Sequence, residues 1–331
     1  MPVPFPTNPD VTLEIWGPAE RAALFQSDLI SRLNFSTEEL VADDPESRQV
    51  IVQHLQISSA SCSLQPLVKV TRPRESVLSG QQLNLVAGYA DLRGDRGPEI
   101  LAQLGEPYPF ISSVAFLDPS RTPRTLELLN AALGLAYFVV MQVKAGLACR
   151  RPHEYSSQIQ PLIPAPLHGT LPSGHATESA IAAYVLSALL RRVVVDDGSG
   201  GTMPAPQFAN DGWVVQLMRL ASRIAVNRTI AGVHFPVDSI AGALLGLTLG
   251  QYLVARCTHD TGYASWAFEG DQMTSISDPI DHVWHDLFDV GTFILTDIPP
   301  YVTGPSNQTL GPDGRSAALN WIWRQALAEW R

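Results

Sequence analysis

Residues 172–192, PSGHATESAIAAYVLSALLRR, decide how the rest of the sequence is interpreted. After Pro172 the stretch has no proline and is rich in alanine and leucine, which predicts a helix over Ser173–Arg192. Serine is a preferred residue at helix N-termini, and Gly174 lets the backbone approach a ligand closely. The free N–H groups and the positive dipole end of such a helix attract anions. The stretch therefore predicts a helix whose first turn can hold an anion.

Other apolar segments predict helices that pack with this one. Their apolar residues recur at three- and four-residue spacing, the pattern of a helix with a buried face. The predicted helices are Thr122–Leu147, Ala209–Val226, His234–Arg256 and Ser316–Trp330. Because we find no convincing series of alternating strands, we expect an all-α helical bundle. We divide it into a mostly helical region of unassigned role at 1–110, a helical core at 111–260 and a tail packed on that core at 261–331.

Composition and charge exclude several classes of protein. The chain has 331 residues, 45% of them hydrophobic, and its three cysteines lack the spacing of a zinc site or a disulfide framework. A net charge of −10 argues against a nucleic-acid partner. The longest apolar runs, such as Ala131–Val143 and Ile240–Leu249, are shorter than the roughly 18 residues of a membrane span, so we expect no membrane partner. The first residues lack the basic and apolar regions of a signal peptide, so we expect a cytoplasmic protein. Tryptophan and leucine residues in the tail are compatible with a homo-oligomer.

Two other segments place cationic and imidazole side chains near helix ends. Lys144 is one of only two lysines in the chain, and Arg151 follows it seven residues later. We expect the helix of Lys144 to end near the Arg151-Pro152 step, and a helix that continues that far places both residues on one side. Arg228, His234 and Asp238 have the spacing Arg-x5-His-x3-Asp. Arginine can bind two oxygens with its planar guanidinium, and Asp238 is placed one turn after His234 to orient the imidazole. Together with the helix start described above, these residues predict a site for a tetrahedral oxyanion.

These three segments, in this order and with these spacings, resemble the signature of the type 2 phosphatidic acid phosphatase (PAP2) superfamily, which includes phosphatases and vanadium-dependent haloperoxidases. The resemblance covers about residues 120–255. It implies a helical bundle whose signature residues bind the oxyanion, namely Lys144, Arg151, Ser173, Gly174, Arg228 and His234. In a haloperoxidase, it implies that His234 binds vanadium as the apical ligand and that Lys144 polarises bound peroxide. In a phosphatase, it implies that His234 forms a phosphohistidine. In both, it implies that His175 transfers protons.

The sequence favours the haloperoxidase branch of this superfamily. We find neither the membrane helices of the lipid phosphatases nor the export signal of the acid phosphatases, and Asn227 replaces the serine before the arginine of the phosphatase signature. His168 lies seven residues before His175, where family members that oxidise bromide or iodide have histidine. We therefore expect a vanadium-dependent haloperoxidase that binds vanadate and oxidises bromide or iodide with hydrogen peroxide, with a small organic acceptor as a further partner. The alternatives are a soluble acid phosphatase that acts through a phosphohistidine, and a non-catalytic helical bundle that binds phosphate.

Overall fold

The structure is a computed structural model that describes residues 9–57, 61–199, 201–258, 262–311 and 314–331. Most of its buried apolar side chains belong to one hydrophobic core, which includes residues from Leu13 to Ala326. The α-helices of the described residues are α1 (Pro9–Ile15), α2 (Pro18–Ile30), α3 (Glu75–Val77), α4 (Leu83–Tyr89), α5 (Arg93–Ala102), α6 (Tyr108–Ala115), α7 (Pro123–Leu147), α8 (Pro152–Tyr155), α9 (Gly174–Leu190), α10 (Gly212–Ile230), α11 (Pro236–Cys257) and α12 (Ala317–Ala328).

The long predicted helices are confirmed. They correspond to α7, α9, α10, α11 and α12. The main difference is at α10, which continues to Ile230, past its predicted end at Val226. This extension places Arg228 inside the last turn of α10 and not in a loop.

Helices α9 and α11 pack closely because small residues line their contact. A Cβ atom added to Gly242 would lie only 2.6 Å from the carbonyl oxygen of Ser173, so a larger residue would push the helices apart. The main-chain N–H of Ser173 also donates to the carbonyl oxygen of Asp238 at 2.9 Å. The start of α9 is therefore held against the start of α11.

The all-α expectation is wrong, because strands from both ends of the chain form a five-stranded mixed sheet. The strands are β1 (Leu33–Glu39), β2 (Arg48–Ile57), β3 (Cys62–Thr71), β4 (Val194–Asp196), β5 (Thr202–Pro204), β6 (Gly262–Glu269), β7 (Phe288–Asp289), β8 (Ile294–Leu295) and β9 (Val302–Thr309). The order in the large sheet is β1-β2-β3-β6-β9, and neighbours are antiparallel except for the parallel pair β3 and β6. The pairs β4–β5 and β7–β8 form two small sheets. The protein is therefore an α/β protein with a helical core beside a mixed sheet.

The sheet forms because its strands have one apolar face. In β2, Val50, Val52 and His54 are buried, whereas Ile51 and Gln53 between them are only half-buried. This period of two is the pattern of a strand with one face on the core. The region 1–110, expected to be mostly helical, thus contributes three strands to the sheet.

Two helical segments of the described chain are long and apolar enough to cross a membrane, which corrects the estimate made from apolar runs alone. They are 123–155, whose most apolar window is 50% buried inside the protein, and α11, whose window is 94% buried. A core helix of a folded protein meets the same criteria of length and composition, so these two helices are weak grounds for a membrane span.

Candidate oxyanion-binding site

Lys144 lies in the last turn of α7 with its side chain buried. Its Nζ donates to the carbonyl oxygens of Gly169 at 2.7 Å and Thr170 at 2.8 Å. Burial lowers the pKa of the ammonium, and the charge of Arg151 lowers it further. The two carbonyls fix the orientation of the Lys144 ammonium group, whose charge costs free energy because it is buried.

Arg151 reaches the same region by a different path from the one expected. Helix α7 ends at Leu147, and the next residue, Ala148, has a left-handed conformation with φ of 49°. Arg151 therefore does not extend the helical face of Lys144. Its Nη1 donates to the carbonyl oxygen of Val233 at 2.7 Å and its Nε to that of His168 at 3.0 Å. The guanidinium thus joins the loop before α9 to the loop before α11.

Arg228 is the third buried cation, with 1% of its surface exposed. Its Nη2 donates to the carbonyl oxygen of Ile100 at 3.2 Å and to Gln103 Oε1 at 2.9 Å. Its Nε and Nη1 are buried and have no hydrogen-bond partner in the described chain. Burial lowers the pKa of the guanidinium to about 10, so the group stays charged at neutral pH.

The three cations together carry more positive charge than the one buried carboxylate among the described residues can offset. None of them forms an ion pair with a carboxylate of the described residues, and Asp238 is the only carboxylate among those residues that is buried to a similar extent. An isolated buried charge costs several kcal/mol, and a buried donor without a partner costs about 1–3 kcal/mol. A bound anion would offset both costs.

The start of α9 presents main-chain donors and free space. Ser173 is the N-cap, and its Oγ accepts a hydrogen bond from the main-chain N–H of Ala176 at 3.4 Å. A Cβ atom added to Gly174 would lie 3.9 Å from Val140 Cγ1 and 4.0 Å from Glu178 Oε1, which are ordinary contact distances. Packing alone therefore does not require glycine at 174, and the space beside it is available to a ligand.

His234 lies just before α11 with 5% of its surface exposed. Its Nδ1 is 3.1 Å from Asp238 Oδ2 and 3.2 Å from Thr170 Oγ1, and the Thr170 hydroxyl also donates to Asp238 Oδ2. Burial lowers the pKa of His234 well below its usual value, and Lys144 and Arg151 lower it further. A neutral imidazole that donates from Nδ1 to the carboxylate keeps the lone pair of Nε2, the atom that can bind a metal or attack phosphorus.

His175 lies in the first turn of α9, on the side of the site that faces α5. Its Nε2 is 3.1 Å from the carbonyl oxygen of Gln103, so this nitrogen carries the proton. Burial, with the charge of Arg228, lowers the pKa of His175 to about 4. His175 and Glu178 border a small cavity of about 40 Å³. Burial also raises the pKa of the Glu178 carboxyl.

His168 lies at the outer edge of the site. It is exposed, its Nδ1 is 3.2 Å from Arg151 Nη2, and it borders an open cleft of about 330 Å³ together with Arg150, His153 and Glu154. Burial of part of the ring lowers its pKa.

The structure brings eight of the nine predicted residues together, six of them buried and two, Gly174 and His175, half-buried, and it places the ninth, His168, at the exposed rim. The sequence prediction missed three residues, Thr170, Gln103 and Glu178. Thr170 could have been found, because it is a hydroxyl residue between two parts of the signature, and Glu178 lies one turn after Gly174. Gln103 had no local signal, because it is far from the other residues in the chain.

The donor set fits a tetrahedral oxyanion such as phosphate or vanadate. Arg228 offers two unpaired nitrogens, the start of α9 offers main-chain N–H groups beside Gly174, and His234 offers Nε2. Among the described residues no group of three or more His, Cys, Asp or Glu could chelate a metal ion. Vanadate held through one histidine would need no such group, because the cations and the N–H groups of the α9 start could hold its oxygens.

Three comparisons with known proteins find similarities to this chain. A vanadium-dependent bromoperoxidase of Ascophyllum nodosum is 32% identical over 97 residues, which are 25% of this chain and only 17% of that protein. The crystal structure of a bacterial vanadium-dependent iodoperoxidase superposes with a TM-score of 0.41 at 16% identity, over 56% of this chain and 52% of that chain. Residues 126–261 match the PAP2 superfamily, and they include every signature residue from Lys144 to Asp238. This segment includes most of α7 and all of α9, α10 and α11, and it is similar to the PAP2 superfamily.

Proposed function

We propose that this protein is a vanadium-dependent haloperoxidase, which oxidises bromide or iodide with hydrogen peroxide to hypohalous acid. The PAP2 superfamily consists of enzymes, both phosphatases and haloperoxidases, so an enzyme is the expected class. The bromoperoxidase relative supports the haloperoxidase branch over the segment that matches. The histidine at position 168 supports bromide or iodide as the halide, because family members that oxidise these halides resemble this chain at that position.

The observation that carries the proposal is the group of three buried cations without ion pairs. Lys144, Arg151 and Arg228 are each at most 2% exposed, and Arg228 has two donors without partners. Such a cluster is matched by an oxyanion with several negatively charged oxygens. A binding site alone would not need the two histidines that lie beside the cluster.

The proposed role of His234 is to bind the vanadium atom of vanadate through Nε2. Asp238 Oδ2 accepts a hydrogen bond from His234 Nδ1 at 3.1 Å. The Thr170 hydroxyl donates to the same carboxylate oxygen, so the orientation and the tautomer of the imidazole ring are fixed. Bound vanadate supplies a Lewis acid that activates hydrogen peroxide without a change in oxidation state.

The proposed role of Lys144 is to supply positive charge and donate protons, and that of His175 is to accept protons. Lys144 stays fixed by two carbonyls, and its lowered pKa makes it a better proton donor than an exposed lysine. His175 is neutral at pH 7 because burial lowers its pKa to about 4. With the proton on Nε2, its Nδ1 is the nitrogen that would accept a proton from a molecule bound in the site.

His168 is proposed to influence the choice of halide. It lines the open cleft described above and contacts Arg151. Its replacement therefore changes the polarity of this cleft without removing a buried side chain. We expect His168→Phe to change the ratio of chloride to bromide oxidation rates, whereas His153→Phe, a change in the same cleft, should leave that ratio near the wild-type value. Identical ratios in the wild type and His168→Phe would remove this role.

The activity is tested by loading the purified protein with orthovanadate and measuring bromination of an organic acceptor by peroxide, with and without bromide. His234→Ala should abolish the reaction, and the exposed residue His285 provides the control variant His285→Ala. Hydrolysis of a phosphate ester is measured in parallel without vanadate. Brisk hydrolysis without bromination would instead support the phosphatase, and tight oxyanion binding without either activity would support a binding protein.

A further inference from the structure

Gln103 is a buried residue from the N-terminal region that contacts two residues of the site. It follows α5 directly and is 4% exposed. Its side-chain Oε1 accepts from Arg228 Nη2 at 2.9 Å, and its main-chain oxygen accepts from His175 Nε2 at 3.1 Å. One residue outside the signature thus engages both an anion-binding cation and the proposed proton-transfer residue.

The contacts of Gln103 determine how the guanidinium of Arg228 is oriented. Both hydrogens of Nη2 are used, one by Gln103 Oε1 and one by the carbonyl oxygen of Ile100 at 3.2 Å. Because the guanidinium is planar and rigid, two bonds at one nitrogen define its plane. The nitrogens that remain without partners, Nε and Nη1, are then presented in a fixed direction.

A second set of contacts fixes the side chain of Gln103. Its Nε2 donates to Glu99 Oε1 at 3.0 Å, and Asn227 Nδ2 donates to Oε1 of both Glu99 and Gln103 at 3.0 Å. These bonds leave one orientation of the amide, with its oxygen towards Arg228. Asn227 is the residue that replaces the serine of the phosphatase signature, and in this structure its side chain donates hydrogen bonds to Glu99 and Gln103.

The neutrality of Gln103 matters as much as its shape. The nearest carboxylate, Glu99, is ionised because Arg223 lowers its pKa, and it binds Arg223 Nε at 2.6 Å. The amide lies between this carboxylate and Arg228, so Arg228 receives an acceptor without a negative charge. A carboxylate at 103 would neutralise Arg228 and repel an anion.

We infer that Gln103 is a positioning residue of the oxyanion site, which holds Arg228 with its side chain and His175 with its main chain. The region 1–110 therefore completes a site whose other residues lie between 144 and 238. The inference rests on the proposed oxyanion site, but not on whether the enzyme oxidises halide.

The test measures the affinity of the full-length protein for orthophosphate and for orthovanadate by calorimetry, at several pH values. Gln103→Leu removes the acceptor from Arg228 and should weaken binding about tenfold at all pH values. Gln103→Glu keeps the shape but adds a charge, so it should weaken binding by more than tenfold near pH 8 and recover as the new carboxyl is protonated at lower pH. The exposed Gln207 provides a control with the same change of charge, Gln207→Glu, which should bind as the wild type does.

The new carboxylate of Gln103→Glu would also lie close to Glu99, whose Oε1 is 3.0 Å from Gln103 Nε2 in the wild type. Thermal melts of each variant without oxyanion, at the same pH values, separate a structural cost of that repulsion from a change in oxyanion affinity. Wild-type affinity in both Gln103 variants, or equal losses without pH dependence, would overturn the inference while the proposed function stands. If the wild type binds neither oxyanion, both the proposed function and this inference fail. Circular dichroism of each variant confirms that the affinities refer to folded protein.

Discussion

Gly174→Ala should weaken ligand binding without destabilising the fold, because the protein does not fill the space beside this glycine. The added methyl would meet Val140 Cγ1 at 3.9 Å and Glu178 Oε1 at 4.0 Å, so no atom must move. The residue begins α9, and its φ is not in the left-handed region, so alanine is compatible with the backbone. The methyl would instead occupy space next to the main-chain N–H groups at the start of α9, where the proposed oxyanion would bind.

Gly174→Ala is expected to raise the stability of the fold slightly and to lower the affinity for the oxyanion. A compatible change from glycine to alanine stabilises a protein by about 0.4–1 kcal/mol. For 331 residues the entropy of unfolding is about 0.7 kcal/mol per degree, so the melting temperature should rise by only about 1 °C. The loss of one charge-assisted hydrogen bond to the oxyanion costs about 1.5–3 kcal/mol, or roughly 10- to 150-fold in Kd.

The assay combines thermal unfolding with calorimetric titration of orthovanadate and orthophosphate. Gly242→Ala serves as the contrasting variant, since its new Cβ would lie 2.6 Å from the carbonyl oxygen of Ser173 and should destabilise the fold by about 1–3 kcal/mol. Wild-type affinity in Gly174→Ala would refute the reasoning that an oxyanion lies against this residue. A clear fall in its melting temperature would show that the space is needed for packing.

Three further outcomes follow from the same site. Saturating oxyanion at about 100 times Kd should stabilise the wild type by about 2.7 kcal/mol, a rise of about 4 °C in a thermal melt, and this rise should disappear in Arg228→Ala. His234→Ala should lose haloperoxidase activity completely while keeping a wild-type circular dichroism spectrum, and a variant with full turnover would contradict the role of Nε2. The folded-state pKa of His175 is lowered to about 4, below its value in the unfolded chain, so its contribution to stability is present above about pH 6.5 and lost as the pH falls through 4. Chemical denaturation should therefore show a smaller loss of stability between pH 7 and pH 4 in His175→Gln than in the wild type, and equal losses would exclude His175 as a source of acid sensitivity.

The fold was predicted well where its signal lies in consecutive residues, and poorly where it depends on residues that are distant in the sequence. Helix α7 begins within one residue of the prediction, because its apolar spacing is a property of consecutive residues. It ends at Leu147 and not near the Arg151-Pro152 step, where the sequence predicts its end. The strands were missed although β2 carries a visible period of two, with Val50 and Val52 buried. Their pairing could not be foreseen, because Val68 of β3 pairs with Trp266 of β6, and such long-range pairing has no sequence signal in a single chain.

The sequence by itself determined the chemical groups of the site and their local placement. Ser173 and Gly174 are at a helix start because of their residue types, and His234 and Asp238 meet because residues four apart near a helix start lie on one side. Only the tertiary structure decided how these groups are supported. The carbonyls that hold Lys144 and Arg151, the amide of Gln103 at Arg228 and the exposed position of His168 all depend on segments that meet in space. Hydrogen bonds and burial act over a few ångströms, so they depend on which segments meet and not on their separation in the sequence.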